Sequence, residues 1–148
     1  MPQPIYLDHN ATVARTTIDE LLADARHGLT RLDPIATRDA MRRGAALIDI
    51  RGDSQLAQDG VIAGALMIPR NALEWRLDPT SRHRHPRAPD LDDQVIVMCN
   101  DGFQSSLAAA TLQLFGFTHA TDLDGGFQAW RAAGLPVEQF AELEESER

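Results

Sequence analysis

The stretch VIVMCNDGFQSSLAAATLQLFGF, Val95 to Phe117, changes character twice. An apolar run, Val95 to Met98, leads into the only cysteine of the chain, Cys99. A short polar loop containing Gly102 follows, then an alanine-rich segment from Ser105 to Phe115 that Gly116 closes. A short run with no polar residue fits a strand buried on both faces, and an alanine-rich stretch ended by glycine fits a helix. Strand, loop and helix in that order are the repeating unit of a parallel sheet covered by helices.

The flanking sequence repeats the pattern. Ala45–Ile50 (AALIDI), Ala65–Pro69 (ALMIP) and Ala120–Leu123 (ATDL) are short and largely apolar, and read as further strands. Thr17 with Glu20 has the form of a capping box, opening a helix with Ile18, Leu21, Leu22 and Ala25 on one face and Gly28 as its stop. Asp33 and Pro34 begin a second helix as N-cap and first helical residue, and Gly44 lies just past its end. SQLAQDG (Ser54–Gly60) suggests a brief helix, Arg70–Leu77 one or two turns, and GGFQAWRAAG (Gly125–Gly134) a last helix. Asp78–Asp93 is rich in Pro, Arg and His, lacks apolar periodicity, and reads as a surface loop. The fold expected is a single α/β domain with a parallel sheet of about five strands and helices on both faces.

Composition limits the function. A chain of 148 residues with 43% apolar and 24% charged residues fits one soluble globular domain. A formal charge of -8 argues against binding nucleic acid or an anionic membrane, both of which need a basic face. A lone cysteine excludes an internal disulfide and a multi-cysteine metal site. The opening MPQPIYLDHN has no basic segment followed by an apolar one, and the expected location is the cytoplasm.

In open parallel sheets ligands sit beyond the carboxyl ends of the strands, where Cys99 falls. Loop N–H groups and the free N–H groups of the following helix favour an anion there, and so a thiolate. A helix end supplies typically about 0.3–1 kcal/mol, so the loop's own N–H groups must provide much of the rest. Gly102 permits backbone geometry that a side chain would obstruct. From position alone, a small buried hydrophobe is the competing reading of Cys99.

Four elements together are similar to the rhodanese (thiosulfate sulfurtransferase) domain family. They are LIDIRGD with its Asp49 and Arg51, GVIAGA (Gly60–Ala65), the cysteine loop, and LDGGFQAWRAAGLP (Leu123–Pro136). They recur in the family's order over roughly residues 30 to 138. With the irregular lead-in read over 1–16 and the acidic tail over 139–148, the rhodanese-like domain is expected over residues 17–138. It implies that Cys99 takes sulfane sulfur as a persulfide, with Asn100, Asp101, Gly102, Phe103, Gln104 and Ser105 forming the substrate-binding loop. Asp49 and Arg51 are then structural, holding the adjacent loop by ion pairing. The partners implied are a small-molecule or protein persulfide donor and a thiol acceptor; no cofactor is implied.

The loop departs from the family where thiosulfate users carry basic residues: here stand Asn100 and Gln104, with Asp101 adding negative charge. Losing a charge-assisted hydrogen bond costs about 1.5–3 kcal/mol, which favours a weakly charged persulfide donor over thiosulfate. Related phosphatases have a longer loop with an anion-gripping Arg, and this loop has neither. A non-catalytic protein-binding module of the same family is the alternative function. Arg70, Trp75 and Arg76 in RNALEWRL could border the site, one arginine replacing the missing charge, although the segment reads first as a surface helical turn; Trp130, at helical spacing with Phe127, reads as core. His83 and His85 stand among arginines without interleaved acidic ligands, so no metal site is expected. PIYLDHNAT (Pro4–Thr12) resembles the opening of cysteine desulfurases, but the chain has no room for their pyridoxal-phosphate domain.

Overall fold

The computed structural model describes residues 14–141. The lead-in to residue 13, with its Pro4–Thr12 segment, and the acidic tail from residue 142 lie outside the described residues. The order is α1 (Ile18–His27), α2 (Pro34–Arg42), β1 (Ala46–Asp49), α3 (Asp53–Asp59), β2 (Leu66–Met67), a 3₁₀ turn (Arg70–Ala72) and α4 (Leu73–Leu77). Then follow β3 (Val95–Met98), α5 (Gln104–Leu114), β4 (Ala120–Asp122) and α6 (Gly126–Ala132).

The strands form a parallel sheet in the order β2-β1-β3-β4, with Ile48 opposite Leu66 and Val97, and Val97 opposite Asp122. Alternate residues of the apolar strands serve opposite faces. Ile48, Val95 and Val97 pack with Leu73, Leu77, Leu112 and Phe117 on one side. Leu47, Ile96 and Met98 pack with Ala40, Phe127 and Trp130 on the other. Burial on both faces leaves no position on β3 for a polar side chain, which is why it reads VIVM.

Four strands form rather than about five. The fifth place is filled by a single bridge: the Leu32 N–H donates to the Asp122 carbonyl at 3.1 Å, and the Asp124 N–H to the Leu32 carbonyl at 2.8 Å. The ladder stops there because Asp33 turns to cap α2, its carboxylate accepting from the Ala36 N–H, and Pro34 has no N–H to give. The capping box at Thr17 forms as the sequence indicates. Ile18, expected on the inner face of α1, is 63% exposed, because α1 lies on α5 rather than on the sheet and buries none of its residues completely. Asp78–Asp93 is a loop, but not wholly a surface one. Its His85 is buried, pinned where its N–H donates to the Arg76 carbonyl.

α6 is docked onto the carboxyl end of β3. The Phe127 N–H donates to the Cys99 carbonyl at 2.9 Å and the Gln128 N–H to the Asn100 carbonyl at 3.1 Å. So close an approach requires glycine at Gly126, where φ is +63° and a Cβ would lie 2.5 Å from the Cys99 oxygen. Gly126→Ala is therefore expected to lower unfolding free energy by on the order of 1–3 kcal/mol or more, from backbone strain and the contact together. Urea denaturation of wild type and variant measures it, and equal midpoints would show the approach to be looser than described.

Candidate active site

Cys99 directly follows β3 at the floor of an open cleft of about 340 Å³. The walls are Ile50, Arg51 and Gly52 from the end of β1, Gln55 of α3, Arg70, and Asn100, Asp101, Phe103 and Gln104 of the loop. Cys99 is 7% exposed and is among the residues lining this cleft. The Gly102 N–H points at Sγ from 3.1 Å and the Ser105 N–H from 3.3 Å, the latter at the first turn of α5. Gly102 has φ of +88°, and a Cβ there would lie 2.7 Å from the Gly125 nitrogen. The glycine is thus required both by the turn and by the neighbouring chain.

Behind the loop lies a polar network centred on Asp122, buried at the end of β4. Its carboxylate accepts from the Ser105 and Ser106 hydroxyls at 2.8 Å each. The Arg31 guanidinium completes it, with Nε at 2.9 Å and Nη2 at 3.2 Å on the two oxygens. Arg31 also pairs with Asp124 at 3.1 Å. Burial by itself would lower the pKa of Arg31, but the hydrogen bond to Asp122 and the charges of Asp122, Asp124 and Cys99 outweigh it and raise the pKa. Arg31 Nη2 and Arg26 Nη2 both donate to the Gly102 carbonyl at 2.9 Å, and Arg26 Nε reaches the Ser106 hydroxyl at 3.0 Å. These groups are 71 to 91 residues apart in the chain and are brought together by the docking of α1 on α5.

Asp49 and Arg51 form a fully buried, bidentate ion pair, Nη2–Oδ2 2.8 Å and Nε–Oδ1 3.0 Å. Arg51 also donates to the Gly60 carbonyl at 2.9 Å and stacks over the Phe127 ring at 3.9 Å. It fastens the end of α3 to the sheet, the bracing that the sequence suggests, and in addition contributes to the cleft wall. Arg70 lines the cleft too, with Nη1 on both Glu74 oxygens at 2.8 and 2.9 Å. Arg76 does not reach the rim. It faces the other way along α4, where Nη1 donates to the His83 carbonyl, because a step of six residues along this turn and helix puts the two arginines on different sides. Asp101 is exposed, its Oδ2 taking a 3.2 Å bond from Asn100, while Asn100 Oδ1 accepts from Gln128.

Sequence reasoning missed Arg26, Arg31, Ser106 and Asp122. Asp122 alone left a signal, since a carboxylate ending an apolar strand needs a cation, as Asp49 does. Among the described residues no cluster of three or more His, Cys, Asp or Glu is arranged to hold a metal ion. No helix among them is long and apolar enough to cross a membrane.

Comparison with known proteins places the chain in a family. Residues 34–133 match the rhodanese-like domain. The thiosulfate sulfurtransferase GlpE of Ectopseudomonas mendocina is 37% identical over 102 residues, 69% of this chain and 84% of the relative. A sulfurtransferase of Allochromatium vinosum is 30% identical over 105 residues, 71% of this chain and 89% of the relative. Among solved structures, a protein of unknown function from Rhodopseudomonas palustris, described as a possible tyrosine phosphatase, superposes with a TM-score of 0.76. That structure is 30% identical and is matched over 88% of this chain and 100% of its own. The chain belongs to the rhodanese-like sulfurtransferase family.

Proposed function

We propose that the protein is a sulfurtransferase that carries sulfane sulfur on Cys99. The observation that carries this reading is the pair of backbone N–H groups, from Gly102 and Ser105, aimed at Sγ at the floor of an open cleft. In the first step the Cys99 thiolate attacks the outer sulfur of the donor. A Cys99 Sγ–S bond forms, the donor's S–S bond breaks, and the donor leaves as its own thiolate with the electron pair. In the second step an acceptor thiolate attacks the outer sulfur of the Cys99 persulfide. The Sγ–S bond breaks, Cys99 returns as thiolate, and the acceptor leaves as a persulfide. N–H groups fixed in place before reaction stabilise the Cys99 thiolate, as attacking group in the first step and leaving group in the second, without reorganising.

The donor we favour is a weakly charged persulfide rather than the thiosulfate named for the GlpE relatives. No side chain of the loop from Asn100 to Ser105 is basic, and Asp101 is acidic. The cleft arginines already have carboxylate partners, Arg51 with Asp49 and Arg70 with Glu74. The same absence of a guanidinium from the loop speaks against phosphate-ester hydrolysis, despite the description of the R. palustris protein.

Intact-mass measurement after exposure to a low-molecular-weight persulfide should show the gain of one sulfur atom. The gain should be absent in Cys99→Ser and reversed by a thiol; no adduct with either persulfide or thiosulfate would favour the non-catalytic binding module. Gln104, exposed at the start of α5 and on the cleft wall, is where a charge can be restored. Gln104→Arg is expected to raise kcat/KM for thiosulfate about 10- to 150-fold, the worth of one charge-assisted hydrogen bond, and to change persulfide use far less. Efficient thiosulfate turnover by the wild type in a steady-state cyanide assay would overturn the donor preference.

A further inference from the structure

We infer that Arg26 and Arg31 are positioning residues for sulfur transfer, acting through the Gly102 carbonyl to hold the Phe103 N–H toward the cleft. The inference rests on the sulfurtransferase reading and adds residues that lie before the matched range, 34–133.

The geometry begins with the peptide joining Gly102 to Phe103. No peptide bond among the described residues is cis, and in a trans planar peptide the C=O and N–H point in opposite directions. The Gly102 oxygen is drawn backward by two guanidinium groups at 2.9 Å each, away from the cleft that Phe103 lines. The Phe103 N–H therefore faces forward, and it makes no hydrogen bond among the described residues. Sγ itself is served by the N–H groups of Gly102 and Ser105, which belong to other peptides. The Phe103 N–H is thus left for the next atom out, the terminal sulfur carried on Cys99 or the charge of the arriving donor.

Apart from the arginines, the Gly102 carbonyl has one further neighbour. The Ser106 hydroxyl stands 3.4 Å from the Gly102 oxygen, but its proton is engaged by Asp122 at 2.8 Å. Gly102, at φ of +88° and without a side chain, offers little resistance to rotation of the peptide. A flipped peptide would aim a carbonyl at the incoming negative sulfur and repel it. Asp122 keeps Arg31 in place, whereas Arg26 reaches the same oxygen from α1 with no share in that ion pair.

This division supplies the test. Two rates are measured on each variant: formation of the Cys99 persulfide from a low-molecular-weight persulfide, and alkylation of Cys99 by neutral iodoacetamide. Arg26→Gln and Arg31→Gln are expected to slow persulfide formation about tenfold or more, the loss of one hydrogen bond to a charged group, and to leave alkylation within about threefold. Arg26→Lys, which keeps a cationic donor, should recover most of the persulfide rate. Arg26→Gln remains informative if Arg31→Gln fails to fold, because the Arg31–Asp122 pair stays intact in it. Equal loss of both rates, or loss of neither, overturns the inference. A wild-type chain that acquires no sulfur overturns the transfer reading and this inference with it; wild-type uptake with unaffected variants overturns the inference alone.

Discussion

A loop that curls around one sulfur atom sends several of its carbonyls into the protein interior, and those carbonyls need donors. An unsatisfied buried one costs about 1–3 kcal/mol, comparable to what the loop could gain from its anion. The structure meets this constraint from two sides. The opening turn of α6 takes the Cys99 and Asn100 carbonyls, and Arg26 with Arg31 takes that of Gly102. The site is in this sense built from behind. Much of what surrounds it, including the glycine that lets α6 approach and the carboxylate that holds Arg31, serves the backs of these peptides.

The charge distribution follows from the same arrangement. Arg31 is paired with Asp122 and Asp124, Arg51 with Asp49, and Arg70 with Glu74. Each cation near Cys99 that bears a carboxylate partner contributes a local dipole more than a net charge, and falls off faster with distance. The groups that reach Sγ directly are backbone N–H groups, fixed and short in range. Their field suits one negative sulfur held in place better than a diffusing dianion that must be attracted from solution.

Much of the fold could be read directly. VIVM and ALID, short and mostly apolar between turn signals, read as buried strands, ATD with its Leu123 reads as one less strongly, and Thr17, Asp33 and the terminal glycines mark helix ends by local chemistry. Cys99, its loop and the Asp49–Arg51 pair were visible because their partners are near in sequence or belong to a recognisable order. The count of about five strands exceeded the four runs that could be named; beside β4 only a bridge at Leu32 forms, because a helix cap and a proline follow immediately. Arg76 was indistinguishable from Arg70 on paper, since neighbouring arginines on one short helical segment differ only in the side they face.

The sequence by itself determined the strand–loop–helix unit, the position of the nucleophilic sulfur candidate and the absence of basic side chains from its loop. These depend on local periodicity and on residue identity, which the chain states outright. Tertiary structure alone decided that the loop's carbonyls would be held by Arg26, Arg31 and α6, and that Asp122 would gather Ser105, Ser106 and Arg31 around it. The physical reason is that an arginine carries the same donors wherever it stands. Which carbonyl or carboxylate receives them is settled only when α1, the segment after it and β4 pack against α5.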